Sequence, residues 1–155
     1  DLMATCAAIV GAKLPDNAGE DSYSILPLLL GTATAPVREA TVHQSSAGDL
    51  AIRQGPWKLI FLTSGRRELY NLADDLSETT NVAEANPAVV ERLTKLMQQY
   101  IDNGRSTPGA RQKNGANISL AARAAKADAD DDDATPPKAR KGKGNKNRKK
   151  DAAGK

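Results

Sequence analysis

The sequence predicts an α+β fold: a four-stranded antiparallel sheet covered by a long C-terminal helix, preceded by two short helices and followed by a disordered tail. Three observations lead to this prediction. Four short stretches between residues 40 and 72 alternate apolar and polar side chains, residues 86–103 repeat apolar side chains at helical spacing, and apolar residues larger than alanine stop at Leu120. A length of 155 residues favours a single compact domain.

The first 31 residues predict two short helices. Asp1 is a suitable N-cap, apolar side chains recur at helical spacing from Leu2 onward, and Gly11 is a suitable left-handed stop. After a polar loop, residues 24–31 predict a short buried helix with Pro27 in its first turn. Both predicted helices precede the predicted sheet.

Period-two alternation predicts the four strands, and glycine-containing turns separate them. Strands joined by tight turns form an antiparallel meander. Trp57 and Tyr70 are large and partly apolar, so we assign both to the core. The predicted strands are residues 40–44, 49–53, 57–62 and 68–72.

The last element has the clearest signals. Asn86 is an N-cap, Pro87 occupies the first helical position, and the sequence Asn103-Gly104 ends the helix. A small sheet needs one face covered, and this helix carries a matching apolar stripe. The stripe consists of Val89, Leu93, Met97, Tyr100 and Ile101.

The charge of the chain is divided unevenly at Leu120. Residues 1–120 hold 11 Lys and Arg against 13 Asp and Glu, whereas residues 121–155 hold 11 Lys and Arg against 6 Asp. The second part offers only alanine for apolar burial, too little to offset about 1–2 kcal/mol of ordering entropy per residue. We therefore predict a domain over residues 1–117 and a disordered charged tail over residues 118–155.

Composition excludes several classes of protein. The single Cys6 excludes an intramolecular disulfide framework and a zinc site built from several cysteines. No apolar run approaches the roughly 20 residues that span a bilayer, so we expect no membrane partner. A first residue of Asp rather than Met leads us to expect a processed chain or a piece of a longer protein.

The reactive side chains do not by themselves form an active site. His43 is the single histidine, without a neighbouring carboxylate in sequence, and Cys6 is expected to be a small buried apolar side chain. Asp74, Asp75 and Glu78 lack the glycine-centred spacing of a calcium loop, so a solvated turn is the expectation. The sequence also lacks the G-x-S-x-G, H-E-x-x-H and phosphate-loop motifs.

Five stretches nevertheless resemble, in order and spacing, the C-terminal subdomain of sulfatases, in particular bacterial arylsulfatase-like enzymes. Two departures from the family pattern stand out, because Ala4 and Leu76 occupy positions where the family has proline. The five stretches are D-L-M-A-T with A-I-V-G-A-K-L-P in residues 1–15, D-S-Y-S with L-L-L-G in residues 21–31, A-I-R-Q-G-P-W-K-L-I in residues 51–60, E-L-Y-N-L-A-D-D-L-S-E-T-T-N-V in residues 68–82, and G-R-S-T-P-G in residues 104–109.

The resemblance implies chemistry that the chain itself lacks. Sulfatases hydrolyse sulfate esters with a formylglycine made from the first residue of a C/S-x-P-S-R motif, beside a divalent cation such as calcium. Cys6 is followed by A-A-I-V and does not fit that motif. The metal ligands and the catalytic His and Lys would belong to a larger N-terminal sulfatase domain. We therefore expect a fragment without catalytic residues, inactive alone, with that domain as its partner.

The resemblance also suggests what this part contributes. The C-terminal sheet of sulfatases packs beside the large domain, and its loops help to form the rim of the substrate pocket. His43 ends the first predicted strand and is the best candidate for contact with a sulfated substrate, an aryl sulfate or a sulfated glycan, with Gln44 adding a hydrogen bond. Arg53 and Lys58 are assigned to a solvated outer face. A periplasmic or extracellular location is implied.

Two hypotheses from other classes stay open. Residues 138–155 carry nine basic side chains against one Asp, enough for weak, salt-dependent contact with a polyanion such as nucleic acid. No aromatic residue interleaves these charges, so stacking on bases is unavailable. The other hypothesis is a non-catalytic module whose sheet serves only protein interaction.

Overall fold

A computed structural model of the chain describes residues 1–120 and shows the predicted α+β fold. The four strands form one antiparallel sheet in the order β1-β2-β3-β4, a meander. The predicted tail lies outside the described residues from residue 121 onward, and so does its basic stretch. The strands are β1 Thr41–Gln44, β2 Leu50–Gln54, β3 Trp57–Phe61 and β4 Arg67–Asn71.

Strand register divides the sheet into two faces. Ile52 lies opposite Leu59, and Leu59 lies opposite Leu69, so three fully buried side chains form a row across the central strands and β4. Since side chains alternate along a strand, the neighbouring rows point to the other face. We call the face with Ile52 the helix face and the opposite one the outer face.

The long helix α3 (Pro87–Asn103) packs on the helix face against β2 and β3. Leu93 and Met97, from the predicted stripe, are fully buried there. Asn86 precedes the helix but makes no side-chain cap, since its amide donates to the carbonyl of Val82 (3.0 Å). Gly104 ends the helix in the left-handed conformation (φ 63°), as the sequence predicts.

Residues at the end of the described chain also join the core. Leu120 is 3% exposed, and Ile118 packs against the same cluster. The boundary after residue 117 stays a prediction, but the apolar contacts run on to Leu120. None of the helices within residues 1–120 is long and apolar enough to cross a membrane.

The two N-terminal helices are present, but the prediction that the second one is buried is wrong. Helix α1 (Leu2–Ile9) contains Thr5 as its single buried residue, and α2 (Leu26–Leu29) contains none. Cys6 is exposed, contrary to the expectation of a small buried side chain. Helical spacing identifies which residues share a face, but burial requires a neighbour. Within the described residues these two short helices contact mainly each other.

Arg105 attaches the N-terminal segment to the rest of the domain. Its side chain is 7% exposed, and its Nη1 donates to the carbonyl oxygens of Asp16 and Ala110, both at 3.0 Å. Its Nε and Nη2 donate to Thr107 Oγ1, which in turn donates to the carbonyl of Glu20 (2.6 Å). One guanidinium thus holds together the loop before α2 and the loop after α3.

Further polar contacts orient α1. The Tyr23 hydroxyl donates to the carbonyl of Ser106 (2.5 Å), and the Asp1 carboxylate accepts from the Tyr23 amide (3.1 Å). Asp1 precedes α1 but does not cap it with its side chain, because that carboxylate forms an ion pair with Arg38. The first residue is therefore tied to the connection that leads into the sheet.

Replacing Arg105 with lysine should destabilise the domain by about 1–3 kcal/mol. Lysine keeps the charge but cannot reach three acceptors with one planar group. Thermal unfolding of Arg105→Lys measures the effect, with Arg66→Lys on an exposed turn as the matched control. Equal melting temperatures for the two variants would show that the guanidinium contacts contribute nothing to stability.

Candidate functional site

The structure places His43 and Gln44 at the end of the edge strand β1, both exposed. His43 lies opposite Ala51 and Gln44 lies opposite Leu50. Because neighbouring residues of a strand point to opposite faces, the imidazole is on the outer face and the Gln44 side chain is on the helix face. A single ligand can therefore contact both side chains only if the ligand extends around the end of the strand.

Two rows of side chains cross the outer face. They bring His43 into the same row as an acidic residue of β4, and Lys58 into the row of Tyr70. Rows of directly opposed residues are the closest neighbours in an antiparallel sheet. The first row is His43, Ala51, Ile60 and Glu68, and the second is Thr41, Arg53, Lys58 and Tyr70.

Arg53 and Lys58 lie on the outer face, as predicted, but only Arg53 is exposed to solvent. Arg53 Nε donates to the carbonyl of Gly55 (3.2 Å). Lys58 Nζ lies 2.6 and 2.8 Å from the two carboxylate oxygens of Glu78, and its side chain is 22% exposed. Glu78 has a φ of 55°, a conformation that non-glycine residues adopt rarely. The bidentate contact leaves little of the lysine charge free for a ligand.

Tyr70 is buried, as predicted, but on the outer face rather than under the helix. Its hydroxyl donates to Glu68 Oε2 (2.9 Å). Burial foremost, and then the hydrogen bond to the Glu68 carboxylate, raises the pKa of Tyr70 to about 12. Trp57, in contrast, packs partly buried against the core of the helix face.

In the acidic turn after β4, the Asp75 carboxylate accepts hydrogen bonds from residues that follow it closely in the chain. The Asp75 carboxylate accepts from the amides of Thr79 and Thr80, both at 2.8 Å. These backbone hydrogen bonds, that of Thr79 foremost, lower the pKa of Asp75. Across residues 1–120 no group of three or more His, Cys, Asp and Glu side chains is arranged to hold a metal ion.

A cleft of about 410 Å³, the junction cleft, lies where the N-terminal segment meets the C-terminal end of α3. Three separate stretches of chain form it, so periodicity and motif spacing give no signal for it in the sequence. The residues bearing polar groups in its wall include Tyr23, Arg38, Glu39, Tyr100, Arg105 and Thr107.

Several sulfatases are similar to the chain. An N-acetylgalactosamine-6-O-sulfatase of Bacteroides thetaiotaomicron is 35% identical over 113 residues, which cover 63% of this chain and 22% of that protein. Human arylsulfatase A is 32% identical over 126 residues, covering 62% of this chain and 25% of that protein. No family model matches the chain.

Solved structures agree with these relatives. One described with the metabolism of multiple glycosaminoglycans by Bacteroides thetaiotaomicron superposes with a TM-score of 0.57 and 34% identity, over 64% of this chain and 24% of that chain. Another, solved with its substrate D-glucosamine-2-N,6-O-disulfate, has a TM-score of 0.53 over 70% of this chain and 25% of that chain. Its 21% identity shows a shared fold alone.

The chain spans about a fifth to a quarter of the length of the curated relatives it matches. The similarity covers 61–63% of this chain, and these relatives share one reaction class in their names. The chain is thus related to the sulfatases and matches a sulfatase-like C-terminal part.

Proposed function

We propose that this chain is the scaffold and substrate-rim part of a sulfuric ester hydrolase of the arylsulfatase type. Its 35% identity to a sulfatase over 113 residues supports the reaction class. The surface of the two N-terminal helices supports the scaffold role, because it is apolar and uncovered within the described residues. The chain supplies the rim and the support, and another part of the enzyme supplies the reacting groups.

The apolar surface on α1 and α2 forms the proposed interface, which we call the α1–α2 patch. Its side chains are between 50% and 77% exposed, and the two helices that carry them contact each other. A group of large exposed apolar side chains typically marks an interaction surface. The patch consists of Leu2, Met3, Ile9, Val10, Leu28, Leu29 and Leu30.

The occupant we propose for the α1–α2 patch is the larger N-terminal catalytic domain of the same enzyme. The curated relatives are four to five times as long as the matched part, so most of their length has no counterpart here. Both helices of the patch lie at the N-terminal end of the described fold, next to where such a domain would join. An apolar face of this kind fits a permanent intramolecular interface.

The calcium ion and formylglycine of this reaction do not fit the described residues. Cys6 is exposed on α1, but the residues after it depart from C/S-x-P-S-R, and Asp75 and Glu78 are engaged by Thr79 and Lys58. In the proposed enzyme both groups belong to the catalytic domain. Within residues 1–120, the proposal assigns neither the nucleophile nor its cation to this chain.

His43 is the proposed contact to the substrate. Its imidazole stands exposed at the end of the edge strand and can donate or accept a hydrogen bond, or carry a positive charge toward a sulfate. Gln44 contributes from the other side of the strand, where the substrate passes its end. The relatives named N-acetylgalactosamine-6-O-sulfatase and arylsulfatase A support a sulfated sugar and an aryl sulfate as the candidate substrate classes, and an exported enzyme would meet sulfated glycans in the periplasm or outside the cell.

The 155-residue chain should associate with itself when it is produced alone, because the α1–α2 patch then faces water. Sedimentation velocity of the wild type and of the double variant Leu29→Ser/Leu30→Ser tests this, and the variant should be monomeric. Leu76→Ser is the matched control, since Leu76 is 81% exposed but lies on the turn after β4. A monomeric wild type at micromolar concentration would contradict the proposed interface.

The chain alone should not hydrolyse a chromogenic aryl sulfate, with or without added calcium. The reason is that the described residues contain neither the formylglycine motif nor a cluster of metal ligands. Turnover above that of a heat-denatured sample would refute the proposal that another part of the enzyme supplies the reacting groups.

In the enzyme that combines this chain with its catalytic domain, His43→Ala should raise KM for the sulfated sugar about 3–10-fold. A lost hydrogen bond of about 0.5–1.5 kcal/mol corresponds to such a change, and kcat should stay close to the wild-type value because His43 does not touch the reacting atoms. Gln44→Ala should have a smaller effect of the same kind. Val42→Thr on the same strand is the control. An unchanged KM in His43→Ala would contradict the proposed contact between His43 and the substrate.

A further inference from the structure

We propose that the junction cleft binds one sugar unit of the substrate glycan, away from the sulfate that reacts. Its volume of about 410 Å³ falls within the range typical of small-ligand sites, about 300–1,000 Å³. The choice of a sugar among polyhydroxylated ligands rests on the proposed function. The cleft itself and its hydrogen-bonding groups do not depend on that choice.

Tyr100 offers the cleft a free hydrogen-bonding group. Among the described residues its hydroxyl has no hydrogen-bond partner, although the side chain is half-buried and its ring packs against the core. Burial raises the pKa of Tyr100 to about 12, with the Glu39 carboxylate acting in the same direction, so the hydroxyl stays neutral. A neutral phenol both donates and accepts, as a sugar hydroxyl does.

Arg38 and Glu39 add a cation and an anion to the same wall. The Arg38 guanidinium lies over the Tyr23 ring, 4.7 Å from its centroid, and is paired with the carboxylate of Asp1. The Glu39 carboxylate accepts from Gln54 Nε2 at 3.0 Å. Because each charge already has one partner, the wall presents balanced donors and acceptors and suits a hydroxylated ligand better than a bare anion.

The cleft is held in shape by contacts that need no ligand. The Arg105 guanidinium binds the carbonyls of Asp16 and Ala110, and Tyr23 binds Ser106. These bonds fix two of the three stretches that form the cleft, the loop that contains Tyr23 and the loop after α3. A site whose groups are already positioned loses less free energy in ordering when a small ligand binds.

The position of the cleft also suits a glycan bound at the proposed rim. Glu39 precedes His43 by four residues, so their Cα atoms lie at most about 14 Å apart. Because His43 lies on the outer face and the cleft beside α3 on the helix face, one oligosaccharide bound at both places would run around the edge strand β1.

Saturation-transfer NMR of the full chain with N-acetylgalactosamine, with and without a 6-sulfate, tests the proposal. Both sugars should bind, and an excess of inorganic sulfate should not displace them. Tyr100→Phe should weaken the affinity about 3–10-fold, since it removes one hydroxyl and keeps the ring. Tyr70→Phe is the matched control, because its hydroxyl is bound to Glu68 on the outer face, and it should leave binding unchanged.

Each of three results would overturn the proposal that the cleft binds a sugar. They are the absence of sugar binding, equal affinity of Tyr100→Phe and the wild type, and displacement of the sugar by inorganic sulfate. Binding that His43→Ala abolishes and Tyr100→Phe does not would also overturn it, by moving the sugar to the strand end. These results leave the reaction class untouched, because aryl sulfate turnover by the combined enzyme tests that separately.

Discussion

The buried guanidinium of Arg105 holds the N-terminal segment against the rest of the domain in residues 1–120. The sheet and α3 have an apolar core of their own, whereas α1 and α2 have almost none. A planar group with several donors can satisfy carbonyls from two distant loops at once, which a flexible ammonium cannot. The N-terminal segment is therefore attached by polar bonds, and its apolar side chains are left facing outward.

The two proposed roles, interface and substrate rim, would use different parts of this fold. Apolar burial between α3 and the sheet supplies stability, so the outer face and the strand end need no further cover. The α1–α2 patch is free to meet another domain, while His43 and the junction cleft remain at the surface. A catalytic domain docked on the patch would face loops that are already fixed in position.

The sequence predicted the fold well because the signals are local. Alternation, glycine turns and the Pro87 and Gly104 boundaries identified every strand and α3. The signals failed where burial depended on a neighbour, as for Cys6 and α2. The placement of His43 at a strand end was predictable, but its separation from Gln44 across the sheet follows from register, which pairs each residue with a partner in another strand.

The sequence by itself determined the elements, their order and the relationship to sulfatases, because these reside in residue types and spacing along one stretch of chain. Only the tertiary structure decided which faces are covered, that Lys58 is occupied by Glu78, and that Tyr23, Arg38 and Tyr100 share a cleft. The physical reason is that these contacts join residues distant in sequence, and their formation depends on how loops and helices pack.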